Sequence, residues 1–414
     1  MSKNEIKTKE FKADFGTRLF QAVLSLGIKA AAGILFGQRI RTDKTVKAWK
    51  KSGEGLVILC AHPSEFDAVL LLSSVFPRYT RFVAGEQQLY KGLQGKILRK
   101  LKVIPKKQFV SDIRSVKEML NTVRKGYILA MMPEGRVSPD GTPNPIDIST
   151  AKLIKKLGVN VAGMIPKGTY FVKPSFDYKG IKRGPVSADV TPLLTAEETR
   201  TLTPEAILEK LSAGLAYDES EALRGTGSTY KTGKAPAMDH VSGLFYLCPC
   251  CQKLYTVSDE NGTVRCEACG ASAKLLPTMF LDGDFPDTVS GWNRIQKDHE
   301  KAFWQDPDAF LELPVSKYVL DLDAMKEACA AGTDVPDYSF SGKGLLRLDA
   351  QAFHYKDETE EITVPLGALP GVSADYMQGF IVQYEGNLIR RFVFDDGRNT
   401  LRFVNSLMEL KSKE

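Results

Sequence analysis

Short apolar runs alternate with longer amphipathic stretches through the first half of the chain. The runs are continuously apolar, as in buried strands, and the stretches have helical spacing. The predicted strands are Gly55–Cys60, Arg81–Ala84, Val103–Pro105, Gly126–Met132 and Val159–Ile165. The predicted helices are Ala68–Phe76, Leu89–Leu101, Val110–Arg124, Lys152–Leu157 and Thr203–Leu215. This alternation predicts an α/β domain.

The segment Phe15–Phe36 is apolar except for one polar stripe at helical spacing, formed by Arg18, Gln21, Ser25 and Lys29. A helix of this length measures roughly 33 Å, nearly enough to span a bilayer. Two cations in mid-segment argue against spanning, because each costs about 2.5–3.5 kcal/mol at the bilayer centre. We expect a helix lying in the membrane interface with its cations toward water. The alternative is a helix packed on the protein's own core.

The last third of the chain has a different pattern, in which one amphipathic helix, Val289–Gln305, precedes several short alternating strands. A final helix is predicted at Thr400–Lys413, and His354 reads as a strand residue. A meander of strands closed by one helix resembles pleckstrin-homology (PH) or GRAM-like modules. Such a module would bind a headgroup or a protein, or would pack on the catalytic domain.

Five of the seven cysteines lie close together in the chain, after a polar stretch, 217–240, that reads as a linker. Two Cys-x-x-Cys pairs, Cys248/Cys251 and Cys266/Cys269, flank a predicted hairpin with an Asn-Gly turn. This spacing predicts a zinc ribbon with a structural Zn²⁺, since four thiolates leave no open coordination position. Cys250 is then a spare thiol. Cysteine use of this kind indicates a metal site in a reducing cytosol.

The charge distribution predicts a basic surface that would bind phosphate groups. The net charge is only +6, but residues 1–110 hold 21 Lys and Arg against 8 Asp and Glu. We therefore expect an anionic membrane surface as partner. Nucleic acid is not expected, because the charges of the predicted ribbon nearly balance. The opening residues are polar, unlike a signal peptide, so the expected location is the cytoplasmic face of a membrane, peripheral or monotopic.

Candidate chemistry follows two of the predicted strands. His62 and Asp67 come after the first, and an imidazole whose second nitrogen is held by a carboxylate suits removal of a proton from an alcohol. The alternative is structural, because Ser64-x-x-Asp67 also matches a helix capping box. The block Pro133–Arg136 follows another strand, where its glycine permits close approach of a ligand and its arginine offers a fork for phosphate.

At these residues the chain resembles the glycerolipid acyltransferase family, typified by 1-acylglycerol-3-phosphate acyltransferases. The resemblance rests on two sequence blocks, His62-Pro-Ser-Glu-Phe-Asp67 and, 71 positions later, Pro133-Glu-Gly-Arg-Val-Ser138. The resemblance implies a mixed-sheet domain in which His62 is the general base, polarised by Asp67. An acceptor hydroxyl then attacks an acyl-coenzyme A or acyl-carrier-protein thioester, without a covalent enzyme intermediate. The implied residues for the acceptor's phosphate are Glu134, Gly135, Arg136, Lys106 and Lys107.

Two departures from the family pattern bear on which acceptor the chain would use. Arg136 directly follows the glycine, a variant that resembles bacterial enzymes reacylating lysophosphatidylethanolamine, and Gln108 stands where the family has a phosphate-binding arginine. The predicted acceptor is a lysophospholipid, with 1-acylglycerol-3-phosphate leading and phosphatidic acid as product. The alternative is a non-catalytic adaptor that binds membranes or nucleic acid through the basic half and the ribbon.

Together these patterns predict the following organisation: amphipathic membrane-associating helices (1–50), the acyltransferase domain (51–216), a linker (217–240), a zinc ribbon (241–280), a helical connector (281–335) and a PH/GRAM-like β domain with a C-terminal helix (336–414).

Overall fold

The structure is a computed structural model that describes residues 12–107, 112–177, 180–231, 240–369, 371–376, 378–382 and 388–413. Its helices are α1 (Phe15–Phe36), α2 (Lys44–Ser52), α3 (Asp67–Ser74), α4 (Gly92–Lys100), α5 (Ile113–Arg124), α6 (Ile148–Leu157), α7 (Thr169–Val172), α8 (Ala196–Thr201), α9 (Pro204–Gly214), α10 (Glu219–Leu223), α11 (Val289–Phe303), α12 (Leu322–Ala331) and α13 (Arg398–Lys411).

The strands form three sheets among these residues. They are β1 (Arg39–Thr42), β2 (Leu56–Cys60), β3 (Thr80–Gly85), β4 (Ile104–Lys106), β5 (Ile128–Met131), β6 (Asn160–Lys167), β7 (Ser187–Leu194), β8 (Val257–Glu260), β9 (Thr263–Cys266), β10 (Ser272–Leu275), β11 (Leu281–Gly283), β12 (Phe310–Asp321), β13 (Ser339–Asp349), β14 (Ala352–Lys356), β15 (Glu361–Pro365), β16 (Ser373–Asp375), β17 (Gly379–Val382) and β18 (Leu388–Phe394).

The first sheet has the order β1-β7-β6-β2-β5-β3-β4 and is parallel except for the β6–β7 pair. The predicted mixed α/β sheet is therefore confirmed. Every residue of its central strand β2 is buried, because both faces are covered. Val57 and Leu59 pack in one hydrophobic cluster with residues of α5, α6 and α9, while Ile58 and Cys60 pack in another that includes α3.

Two predicted helix starts differ from the structure. Ser64 does not cap α3: the helix begins at Asp67, and the Ser64 hydroxyl donates instead to the backbone carbonyl of Lys173. The helix predicted from Leu89 begins at Gly92, because Glu86–Leu89 forms a separate 3₁₀ turn. Both differences arise where the chain is held by tertiary contacts that local patterns do not encode.

Helix α1 has the predicted bounds, but only the cations of its polar stripe, Arg18 and Lys29, are exposed, while the uncharged members face the protein. Gln21 is buried and pairs through both side-chain atoms with the backbone of Thr80, at 2.7 and 2.8 Å. Ser25 is buried beside it. The exposed side of α1 is apolar, as shown by Phe15, Leu19, Val23, Leu26 and Ile34. The helix is long and apolar enough to cross a membrane by length and composition.

The ribbon region forms an antiparallel sheet, β8-β9-β10-β11, whose β8–β9 hairpin turns at Asn261 and Gly262 as predicted. The C-terminal sheet has the order β15-β14-β13-β12-β18-β17-β16, with antiparallel pairing throughout. The β-rich character is as predicted, while identity with a PH or GRAM module stays a prediction.

Two predicted connecting segments contain more structure than their composition indicated. The range 281–335 holds α11 and α12, but also β12, which is the middle strand of the C-terminal sheet. The polar range 217–240 includes Glu219 and Tyr230, which are buried. Helix α13 is buried on opposite sides: Phe403 stacks on Phe380 of the sheet, and Asn405 donates to Asn293 of α11. The C-terminal half is thereby joined into one packed unit.

Candidate active site

The site lies where two neighbouring strands end. β2 and β5 are parallel and hydrogen-bonded, so the loops that follow them meet at one edge of the sheet. The loop after β2 carries His62, and the loop after β5 begins at Pro133. A backbone hydrogen bond of 3.0 Å, from the Ser138 amide to the His62 carbonyl, joins the loops directly. Two blocks that are 71 positions apart in sequence thus become neighbours.

His62 and Asp67 form the pair expected of a base and its orienting carboxylate. The Nδ1 atom of His62 lies 3.2 Å from Oδ2 of Asp67, and the same oxygen accepts the Ser64 amide at 2.8 Å. Asp67 is completely buried, whereas the His62 side chain is 15% exposed. Because a carboxylate accepts, Nδ1 carries the proton in this arrangement, and Nε2 keeps its lone pair for a substrate.

Burial raises the pKa of Asp67 above its usual value, while the neighbouring His62, the Thr169 hydroxyl and the Ser64 amide act in the opposite direction. The other oxygen of this carboxylate, Oδ1, is buried without a hydrogen-bond partner among the described residues. The ionised form is therefore costly to hold at this position. Sites with such buried, perturbed carboxylates are candidates for catalysis.

Glu134 fastens the two loops together. Its Oε1 accepts the backbone amide of His62 at 2.9 Å, and its Oε2 accepts the backbone amide of Asn144 at 2.8 Å and the Tyr217 hydroxyl at 3.4 Å. Burial raises the pKa of Glu134, and the two amides oppose that shift. Both oxygens are thus occupied by protein donors. This geometry suits a positioning residue for His62 better than a direct contact to phosphate.

Gly135 and Arg136 complete the loop. Gly135 has φ of 70°, a left-handed conformation that side chains disfavour, so glycine is required for this turn. Arg136 points toward the C-terminal half: its guanidinium lies 3.5 Å from the Val372 carbonyl and 3.4 Å from the Met408 sulfur. Both acceptors are neutral. The arginine expected to hold phosphate therefore sits between the catalytic loop and the C-terminal module.

The remaining predicted phosphate residues lie at the same sheet edge, because β4 is parallel to β3 and ends at Lys106. The Lys106 ammonium donates to the Lys107 carbonyl at 3.3 Å, and burial lowers its pKa. Among the described residues, neither lysine donates to His62 or to Pro133–Arg136. Gln108, the departure noted in the sequence, lies outside the described residues.

Several residues of the site carry no sequence signal. Tyr217 and Asn144 hold Glu134, and the buried Glu219 accepts the Gly168 amide at 2.5 Å. Burial and the nearby Asp67 raise the pKa of Glu219 well above its usual value. Tyr217 and Glu219 fall in the polar range that reads as a linker. Their polarity suggested exposure, and only their packing against the site reveals a role.

The hydroxyl and thiol groups near His62 are unsuited to act as nucleophiles. Cys60 is fully buried, and burial raises the pKa of its thiol well above the ordinary value. The Ser64 hydroxyl donates to the Lys173 carbonyl at 2.8 Å, and the Ser138 hydroxyl donates to the Thr142 carbonyl at 2.6 Å. Within the described residues, the arrangement favours a base that acts directly on an incoming hydroxyl.

A second candidate site is the four-cysteine cluster. The ligand atoms of Cys248, Cys251, Cys266 and Cys269 all lie within 4.8 Å of one another, with two of the pairs at 3.9 and 3.8 Å. A tetrahedral Zn²⁺ with bonds of about 2.3 Å needs sulfur–sulfur distances of about 3.8 Å. These residues fit a structural zinc ion. Cys250 is exposed and lies outside the cluster.

The ribbon is connected to the catalytic loop. Phe245 of the ribbon region stacks on Trp292 of α11 with a centroid distance of 3.7 Å. The next residue of α11, Asn293, donates to Asp140 at 2.7 Å, and Asp140 follows the Pro133–Arg136 block. The ribbon region, α11 and the loop after β5 are therefore linked by buried contacts.

Residues 39–166 match the family model described as Acyltransferase. Among solved structures, the chain is similar to the 1-acyl-sn-glycerophosphate (LPA) acyltransferase PlsC from Thermotoga maritima, at 20% identity and a TM-score of 0.38, over 50% of this chain and 82% of that chain. That likeness is too loose to carry an argument. A search of curated proteins found no match. The matched range includes both sequence blocks and the sheet from β1 into β6, so the chain carries an acyltransferase-family domain over residues 39–166.

Proposed function

We propose that the chain transfers an acyl group from an acyl-coenzyme A or acyl-carrier-protein thioester to the hydroxyl of a lysophospholipid. The observation that carries this proposal is the His62–Asp67 pair, in which Nδ1 faces a buried carboxylate and the imidazole edge remains accessible beside the Pro133–Arg136 loop. The acceptor that we put first is 1-acylglycerol-3-phosphate, which would give phosphatidic acid.

In the proposed reaction, Nε2 of His62 takes the proton of the acceptor hydroxyl as its oxygen bonds to the thioester carbonyl carbon. The carbon–sulfur bond then breaks, and the proton passes from the imidazolium to the leaving sulfur, which departs as a free thiol. Asp67 stabilises the transient imidazolium. Glu134 keeps the two loops in register through the His62 amide.

The phosphate of the acceptor is proposed to bind at the mouth of the site, where Arg136 and Lys106 supply positive charge. Within the described part of the chain, the acceptors of Arg136 are the neutral Val372 carbonyl and Met408 sulfur, so a phosphate would be a stronger partner for its fork. The C-terminal module would then border the acceptor. We include in the same proposal that the C-terminal module is PH-like and that it contributes to the choice among lysolipid acceptors.

The function is tested by incubating the purified full chain with an acyl thioester and a panel of lysolipids, including lysophosphatidic acid and lysophosphatidylethanolamine. We expect release of free thiol and a diacyl product, identified by mass spectrometry. Thiol release without any acylated lipid would contradict the assignment of the acceptor class. Absence of both, with membrane binding retained, would favour the non-catalytic adaptor.

Substitutions of Asp67 should separate its charge from its hydrogen bonds. Both bonds end on Oδ2, so Asp67→Asn can keep them with its amide oxygen, and its NH₂ would face the Thr169 hydroxyl. A charge-assisted bond exceeds a neutral one by about 1.4 kcal/mol, so we expect about a tenfold loss of kcat/KM. Asp67→Ala also loses the orientation, and we expect about a thousandfold loss. Equal losses in the two variants would contradict this separation.

The same Asn variant should be more stable than the wild type at neutral pH. Burial raises the pKa of Asp67, so the folded state keeps the carboxyl proton to a higher pH than the unfolded state does. The free energy of unfolding of the wild type therefore falls as pH rises from the unfolded-state pKa toward the folded-state pKa. Below about pH 4 the unfolded carboxyl is also protonated, and the difference disappears. Thermal unfolding across pH measures it. A stability advantage that shrinks toward neutral pH would refute the sign of the shift.

Membrane docking through the exposed face of α1 is the remaining part of the proposal. Leu19 and Val23 are 51% and 62% exposed. Replacing both with glutamine removes about 1.5 kcal/mol of apolar transfer from each, so vesicle binding should weaken about a hundredfold. The matched control replaces the exposed Ile113 and Leu345, which lie on other elements. Equal effects in both double variants would contradict docking through α1.

A further inference from the structure

A polar cavity of about 280 Å³ lies between α1 and the turn that leads from α3 into β3. Arg18 and Ser25 line it from the helix, and Arg78 lines it from the turn. Tyr127, another lining residue, immediately precedes β5, whereas His62 follows β2. Since these strands are parallel, the cavity and the catalytic site lie at opposite edges of the sheet.

The two arginines of this cavity bring positive charge without a carboxylate to balance it. Arg18 donates to the Tyr127 hydroxyl at 2.9 Å. Arg78 donates to four backbone carbonyls: those of Trp49 and Lys50, each at 3.2 Å, that of Glu54 at 2.5 Å, and that of Gly126. In the described part of the chain, neither guanidinium makes an ion pair. Neutral acceptors satisfy donors but leave the charge uncompensated.

A third cation lies behind the arginines. Lys50 donates to the Ser74 carbonyl at 2.8 Å. Burial, and then the positive charge of Arg78, lower the pKa of Lys50 to about 8. Arg78 and Lys50 are partly buried and close together, which raises the free energy of the empty site, and an anion would relieve this cost.

The cavity also offers a hydroxyl without a partner. Ser25 is 1% exposed, and its Oγ has no hydrogen-bond partner among the residues described. An unpaired buried polar group costs about 1–3 kcal/mol. An oxygen of a bound ligand would accept a hydrogen bond from this hydroxyl. A second ligand oxygen would accept hydrogen bonds from the guanidinium nitrogens of Arg18 that do not contact Tyr127. A tetrahedral oxyanion matches this set of donors.

We propose that this cavity binds the phosphate of an anionic membrane lipid. The mouth is lined by Ala22, one helical turn before the exposed Leu26, and by Phe76, which is 38% exposed. If α1 lies in the interface through its apolar face, the mouth opens at the depth of lipid headgroups. This source of the phosphate rests on the membrane docking proposed above. The cavity would orient the protein on its membrane.

The test compares two variants that each remove one positive charge from α1. Arg18→Gln acts at the cavity, and Lys29→Gln acts at an exposed position that does not line it. Binding of the full chain is measured on phosphatidylcholine vesicles with and without phosphatidylglycerol, in the absence of an acyl donor. Both variants should lose about fivefold from general surface attraction. Arg18→Gln should lose about tenfold more, from its charge-assisted bonds to phosphate. Equal losses would overturn the proposal.

A third variant tests the cavity without changing charge. Ala22→Leu fills the mouth, so it should lose the preference for phosphatidylglycerol while binding neutral vesicles at least as well as the wild type. A preserved preference would overturn the proposal. Thermal unfolding with inorganic phosphate gives a further arm: stabilisation that Arg18→Gln abolishes and Lys29→Gln keeps, together with equal vesicle binding by the two variants, would assign the cavity to free phosphate and overturn the lipid assignment.

These outcomes are separable from those of the enzymatic proposal. Vesicle binding is read without turnover, so a chain that transfers no acyl group would still show the difference between Arg18→Gln and Lys29→Gln. Conversely, equal binding of these variants leaves acyl transfer at His62 unaffected. If the Leu19 and Val23 double variant bound like the wild type, the docking surface would fail first, and the lipid assignment would fail with it.

Discussion

Replacing His62 with alanine is expected to lower kcat/KM for acyl transfer by about a thousandfold, with little change in thermal stability. The imidazole is the group placed to take the acceptor's proton, and nearby Ser64 and Cys60 cannot replace it, since one is hydrogen-bonded and the other is buried. Release of thiol from an acyl thioester in the presence of lysolipid measures the loss. The His62 amide still reaches Glu134 in the variant, so the loop should keep its position.

The chain contains a matched control for this substitution. His354 lies 3.1 Å from Asp349 and, like His62 and Asp67, the two residues are five positions apart. This second pair is on the C-terminal sheet. His354→Ala should therefore leave acyl transfer unchanged. Activity retained in His62→Ala, or an equal loss in both variants, would show that the base has been misassigned.

Removing one thiolate of the ribbon is expected to have the largest effect on stability. Structural zinc contributes about 10–16 kcal/mol of apparent folding free energy in small zinc domains, and Cys251→Ser removes one of four ligands. We expect loss of bound zinc and a lower melting temperature for the full chain. Activity should fall as well, because Trp292 and Asn293 connect the ribbon region to Asp140 of the catalytic loop.

Cys250→Ser provides the control, because this thiol is exposed, next in sequence to Cys251 and outside the cluster. It should keep one zinc ion per chain and the wild-type melting temperature. Zinc content is measured by elemental mass spectrometry, and stability by thermal unfolding with and without a chelator. Zinc retained at full occupancy in Cys251→Ser, or a chelator without effect, would exclude the four-cysteine site.

The strands and the two site blocks were accessible from sequence because their signals are local. A short, continuously apolar run such as Leu56–Cys60 is typical of a strand that is buried on both faces. The residues that follow parallel strands lie at the same edge of the sheet. The paired Cys-x-x-Cys knuckles encode their metal geometry in spacing alone. Helix bounds were less accurate: the helix predicted from Leu89 begins at Gly92, because Glu86–Leu89 forms a separate 3₁₀ turn.

The composition of α1 predicted its length and its polar stripe, but not the direction that the stripe faces. The side chains of Gln21 and Ser25 can form hydrogen bonds either with water or with backbone groups of a strand that have no other partner. The Thr80 end of β3 offers such a backbone, so Gln21 and Ser25 turn inward, while the cations of the stripe and the apolar side of the helix are exposed. That choice depends on which partner is present, and a sequence pattern does not contain the partner.

The sequence by itself determined the α/β domain, the His62 and Asp67 candidates, the Pro133–Arg136 block and the four thiol ligands. Only the tertiary structure decided that Glu134 holds the His62 loop, that the half-buried Tyr217 donates to Glu134, and that Arg136 faces the C-terminal module. The physical reason is range. Periodicity and ligand spacing act between residues that are close in the chain, whereas these contacts join residues that are 72, 83 and 236 positions apart, whose approach depends on how whole sheets and helices pack.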